Sequence, residues 1–131
     1  MSRRLRGGTA IVDAIEAARS FGESQWLGDD ELARLCIVVE EMVANLYDHG
    51  NLTENDEVGL DLAVDPDGIR IEITDPGDAF DPWAAPRKPD AIERGGGVGI
   101  DIVRAWAEFI SYGPTACGNR LIFLLPVRWD S

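Results

Sequence analysis

A chain of 131 residues with 45% apolar side chains is the size of one domain and can bury a genuine core, which excludes a disordered segment. No apolar run approaches the roughly 20 residues of a membrane span, and the basic start MSRRLRGG leads into no long apolar stretch, so the cytoplasm is the expected location. Twelve Lys and Arg stand against 24 acidic residues, a formal net charge of -12, which argues against nucleic acid as a partner and requires that any bound phosphate find local or metal-borne positive charge.

In chain order, residues 9–25 predict a first helix. Thr9 is a candidate cap, and Ile11, Ile15, Ala18 and Phe21 form a partial apolar stripe. Gly28 breaks that pattern. Asp29 or Asp30 is then placed to cap a second helix running to about Tyr47, with Leu32, Leu35, Cys36, Val39, Met42, Val43 and Leu46 on one face and Gly50 and Asn51 at its end. Two alternating stretches follow, Val58-Leu60-Leu62-Val64 and Ile69-Ile71-Ile73, joined by Asp65-Pro66-Asp67-Gly68, a turn sequence that predicts an antiparallel hairpin.

Residues 76–97 hold four prolines and four glycines and predict a long loop, which in a compact domain is usually functional or disordered. A third helix is expected from about Val98 to Ile110, with Val98, Ile102, Val103, Trp106, Phe109 and Ile110 on one face, and a last strand over 119–127. The order predicts an α+β two-layer sandwich, a mostly antiparallel sheet covered on one face by three helices.

Three groups of residues carry possible chemistry. Glu41 and Asn45 lie four apart on the second helix and share a face nearly opposite its main apolar stripe. Ile37 and Val38 lie on that side too, so a cleft there would hold a carboxylate beside an amide, as a base and a metal ligand require. Asp75 continues the parity of Ile69, Ile71 and Ile73 and should point inward, where a carboxylate costs several kcal/mol unless paired. It either accepts from a bound donor such as the exocyclic amine of adenine, or caps the Pro76-Gly77 turn; the residue alone favours neither. Arg94-Gly95-Gly96-Gly97-Val98-Gly99 opens a helix with backbone N–H groups free to meet an anion, without being a Walker A or dinucleotide fingerprint. Cys36, Cys117 and the single histidine, His49, are too few and too scattered for a zinc site, and both thiols are expected to be buried or half-buried.

Together, Glu41-x-x-x-Asn45, Asp75-x-Gly77 and Gly97-x-Gly99, in that order, resemble the ATP-binding boxes of the GHKL superfamily, whose members include gyrase and histidine-kinase ATPase domains. The stretches EEMVANLYDHG, DPGDAFDP and GGGVGIDIVRAWAEFI look most like bacterial anti-sigma-factor serine kinases. The resemblance spans residues 8–127, so residues 1–131 are expected to form one ATP-binding domain. It implies ATP and Mg²⁺ as cofactors, with Asn45 as the metal ligand through its amide oxygen and Glu41 as the base that takes a hydroxyl proton. Asp75 would take the adenine amine, and Gly77 would let the ring come close. Residues 82–96 would be the ATP lid, with Lys88 and Arg94 as lid cations, and His49 and Gly50 would close the first box.

The implied phosphoacceptor is a serine on a small anti-sigma antagonist of STAS type, and a sigma factor is a further implied partner. Members often dimerise, so a homodimer is an expected state. Rival readings are a nucleotide-dependent binder without kinase activity and a GHKL ATPase. Asp78-Ala79 departs from the glycine often found two residues beyond Gly77. Gly118-Asn119-Arg120 stands where several members place a threonine that touches phosphate, and the sequence assigns it no role.

Overall fold

The computed structural model describes residues 1–79 and 99–129. Its elements are β1 (Ser2–Arg6), a 3-10 turn (Gly7–Thr9), α1 (Ala10–Ser24), α2 (Asp29–His49), β2 (Glu57–Asp65), β3 (Gly68–Asp75), α3 (Gly99–Trp106), β4 (Glu108–Thr115) and β5 (Gly118–Pro126). The five strands form one sheet in the order β1-β2-β3-β5-β4, antiparallel at every pairing. The three helices pack on one face, and the architecture is the expected α+β sandwich.

The core lies where the strand parity places it. Leu60 and Leu62 of β2 pair with Ile73 and Ile71 of β3, Val58 and Ile69 extend the same buried rows, and Leu121, Phe123 and Leu125 of β5 continue the layer. Above it α2 contributes Leu35, Val38, Val39, Met42, Val43 and Leu46, all buried. At about 25 cal/mol per Å² of apolar surface, burial of this layer is the main term holding the sheet to the helices. The β2–β3 turn forms as expected, with the Asp67 amide donating to Asp65 Oδ1 at 2.9 Å.

Several local expectations are corrected. The predicted third helix ends at Trp106, and Phe109 and Ile110 lie in β4, 45% and 49% exposed. The 103/106/110 spacing mimics a helical stripe, but Phe-Ile-Ser-Tyr is also β-prone, and pairing with β5 satisfies its backbone across the sheet. β1 was not anticipated: five residues with one buried side chain, Leu5, show no alternation until β2 is there to pair with them. On α1, the buried face consists of Ala10, Ala14, Ala17, Ala18, Phe21 and Gly22, while Ile11 and Ile15 are only half-buried. Small side chains let α1 and α2 approach closely.

The Thr9 hydroxyl does not cap α1; it donates to the Asp13 carboxylate at 3.0 Å. Gly28 holds the cap position of α2, and Asp29, Asp30 and Glu31 occupy its first turn, where negative charge suits the helix dipole. Cys36 is half-buried, and burial raises its thiol pKa, whereas Cys117 is exposed in the β4–β5 turn rather than buried.

Trp26 is unusual. It follows α1 with φ at 60°, where the chain is held by Trp26 N–H to Glu23 O and Leu27 N–H to Gly22 O, and its side chain is 92% exposed. This left-handed position is normally glycine's, because a Cβ there crowds the carbonyl. Trp26→Gly should therefore stabilise the fold by about 0.5–1 kcal/mol, after allowing for glycine's freer unfolded chain. An upward shift of the urea midpoint is the check.

Candidate nucleotide site

The site assembles at the C-terminal end of α2, where it meets the end of β3. Glu41 and Asn45 sit one turn apart on α2, both half-buried. Burial raises the Glu41 carboxyl above its ordinary pKa, and the neighbouring charges of Glu40 and Asp48 raise it further. The helix ends at His49. Gly50 donates its N–H to Leu46 O at 2.8 Å, and Asn51 takes a left-handed φ of 58° to turn the chain.

Asp75 closes β3 on the core face, 7% exposed, as its parity predicts. Its Oδ1 accepts the Gly77 amide at 2.9 Å and Asn119 Nδ2 at 3.3 Å. The turn-capping role is therefore present. Among the described residues it engages one oxygen only, and Oδ2 has no hydrogen-bond partner there. Burial raises the Asp75 pKa, and the hydrogen bonds from Gly77 and Asn119 partly offset that rise.

Gly77 stands where no side chain fits. A Cβ there would come 2.5 Å from Gly50 O and 2.8 Å from Leu52 Cδ2. The same approach lets Asp78 N–H donate to Gly50 O at 3.3 Å, and Asn51 Nδ2 donates to Asp78 Oδ2 at 2.6 Å. These links fasten the Asp75–Asp78 loop to the end of the helix that carries Glu41 and Asn45. The second sequence group is thereby fastened to the C-terminal end of the helix that carries the first. Of the third, Gly99 opens α3, while Arg94, Gly95, Gly96, Gly97 and Val98 lie outside the described residues, as do Lys88 and the whole 82–96 lid. α3 is held beside α2 partly by the Arg34 guanidinium, 5.2 Å over the Trp106 ring.

Asn119 is the residue the sequence left without a role. It pairs with Asp75 across β3–β5 and is 5% exposed. Its amide nitrogen donates to Asp75 Oδ1, to Gly77 O at 3.0 Å and to Asp78 O at 3.1 Å, so one NH₂ group holds the loop and the carboxylate together. The signal for it was parity: Asn119 continues the inward row of Leu121, Phe123 and Leu125, as Asp75 continues that of the isoleucines. Asn119→Ala should cost about 1–3 kcal/mol by leaving buried acceptors unpaired, measurable by urea denaturation.

The donors present suit Mg²⁺ held chiefly by phosphate and water: one amide oxygen at Asn45, and among the described residues no group of three or more His, Cys, Asp or Glu that could cage an ion. An acceptor in an inward wall, beside a glycine with no room for a Cβ, suits an amino-bearing planar ring. No helix among the described residues is long and apolar enough to cross a membrane.

The fold is that of an α+β sandwich of the GHKL type. The family model of the histidine kinase-like ATPase domain matches residues 9–124, and the chain belongs to that family. A search of curated proteins found no match to the chain.

Proposed function

We propose that the protein is an ATP-dependent protein serine kinase and partner-switching regulator, which phosphorylates a small anti-sigma antagonist of STAS type and also holds a sigma factor. The observation that carries this reading is Glu41. It is a half-buried carboxylate with a raised pKa, one turn from Asn45 on the helix whose C-terminal end holds the Asp75–Asp78 loop. A domain that only bound nucleotide would have no use for a base there, and a raised pKa brings a carboxylate closer to the operating pH, as proton transfer favours.

Each residue then has a task. Asp75 Oδ2 accepts from the adenine amine, and Gly77 keeps the loop backbone clear of the ring. Asn45 would hold Mg²⁺ through its amide oxygen, and the metal would supply the charge neutralisation on the phosphates that this acidic protein lacks. Glu41 takes the proton of the acceptor serine as its oxygen bonds the γ-phosphorus and the bond to the departing ADP breaks. Arg94 and Gly95, Gly96, Gly97, Val98 and Gly99 enter as phosphate-facing groups on their sequence motif.

The test is incubation with labelled ATP, Mg²⁺ and antagonist-type proteins encoded beside the gene. Label should appear on an antagonist serine and depend on the metal. ATP binding with no transfer to any of these proteins would leave a nucleotide-dependent binder instead. For the metal, Asn45→Ala should weaken ATP binding far more in magnesium than in EDTA by calorimetry; an equal loss in both would make Asn45 structural.

A further inference from the structure

An open, mainly apolar cavity of about 450 Å³ lies between the start of α1 and the connection from α2 to β2. Gly7 and Gly8 give it a wall of bare backbone, and a Cβ at Gly8 would meet nothing within 4 Å. Ile11, Tyr47 and Leu52 supply apolar surface, and Glu54 is the only charged residue in the lining. Small-molecule sites run from roughly 300 to 1,000 Å³, mostly apolar with a few polar groups that fix orientation, so this hollow suits a ligand of one or two rings.

Charge selects the kind of ligand. Glu54 is exposed and forms no ion pair with a described residue, so its carboxylate is uncommitted. The chain as a whole, at a net -12, draws cations and repels anions. The first turn of α1, where an anion would otherwise be favoured, already holds Asp13, whose carboxylate accepts from the Thr9 hydroxyl. The Tyr47 ring offers a face that attracts both aromatic rings and positive charge.

We propose that this cavity is a second ligand site, for a compact aromatic amine, and that filling it strengthens nucleotide binding. The coupling runs through the connection that follows α2. Gly50 O accepts the Asp78 amide and Asn51 Nδ2 donates to Asp78 Oδ2, so this connection fastens the nucleotide loop. Leu52, one residue on, lines the cavity and also packs at Gly77, with its Cδ2 2.8 Å from where a Cβ would stand. A ring packed on Leu52 orders the connection beforehand, and the nucleotide then binds at a smaller entropic cost. The two ligands do not compete for the same groups, since Tyr47 lies about 200° around α2 from Asn45. The inference rests on nucleotide binding at the Asp75 loop and not on phosphoryl transfer.

Calorimetry on the full chain tests this with tryptamine as the probe and indole-3-acetate, a similar ring of opposite charge, as its control. Tryptamine should bind saturably and indole-3-acetate should not. Gly8→Leu, which fills the cavity from a position with room for the side chain, should abolish tryptamine binding. Glu54→Gln, at an exposed position the fold does not depend on, should weaken it by roughly 2- to 5-fold, the worth of one exposed ion pair. Saturating tryptamine should raise the affinity for Mg-ADP by roughly 5-fold or more, ADP should raise that for tryptamine by the same factor, and Gly8→Leu should bind ADP without responding to tryptamine. Because tryptamine is first titrated alone, failure of the cavity is read apart from failure of the nucleotide site. No saturable binding, binding that survives Gly8→Leu, equal binding of indole-3-acetate, or an ADP affinity indifferent to tryptamine would overturn the proposal.

Discussion

Glu41→Gln should abolish most phosphoryl transfer and leave nearly everything else in place. A positioned base contributes roughly 10²–10⁴-fold, because it acts where the hydroxyl loses its proton rather than in the ground state. Affinity for Mg-ATP should therefore stay within a small factor. The melting temperature should not fall either: Glu41 is half-buried, and the change removes a charge that Glu40 and Asp48 oppose. The pH profile supplies an independent check. Since burial raises its pKa, Glu41 takes up a proton at higher pH than a free glutamate, whose pKa is about 4.3. The base is lost as pH falls through the raised value, so the acidic limb of the transfer rate should lie at higher pH than a free glutamate would give. Transfer that survives Glu41→Gln would remove this residue from the mechanism, while lost ATP binding with a collapsed melting temperature would make it structural.

Asp75→Asn should reverse the preference of the site. In the wild type, Oδ2 can accept from the amine of adenine, whereas guanine presents a carbonyl there, so calorimetry should find ATP or ADP bound and GTP excluded. In the variant, the amide oxygen can replace Oδ1 toward Gly77 and Asn119, and the new NH₂ then faces the ligand. A donor opposed to a donor costs about 1–3 kcal/mol, or roughly 5- to 150-fold in ATP affinity, and GTP should gain in relative terms. Protonation has the same effect. Burial raises the Asp75 pKa, so ATP affinity should fall as pH drops through that raised value. Folding responds with the opposite sign. The folded state holds this proton more tightly than the unfolded chain, so the group's own contribution to stability rises as pH drops through the same window. Equal binding of GTP by the wild type would remove Asp75 from the base-recognition site.

The chain's own pattern determined those parts of the molecule that rest on local periodicity. The apolar rows of α2, β2 and β3 persist for several turns or pleats, and most of their residues are drawn to the same side by burial, although Val64 at the end of its row is 53% exposed and Leu32 and Cys36 are only half-buried. Helix face, strand parity and the Asp65–Gly68 turn could therefore be read directly, and the inward direction of Asp75 with them. Tertiary structure decided wherever the deciding partner lies far along the chain. Residues 108–115 suit a helix or a strand, and only the backbone of β5 selects the strand. β1 exists because β2 offers it an edge. Asn119 is one more asparagine until the β3–β5 register sets it beside Asp75, 44 residues away, and Gly77 is one more turn glycine until Gly50 O lies 2.5 Å from where its Cβ would be.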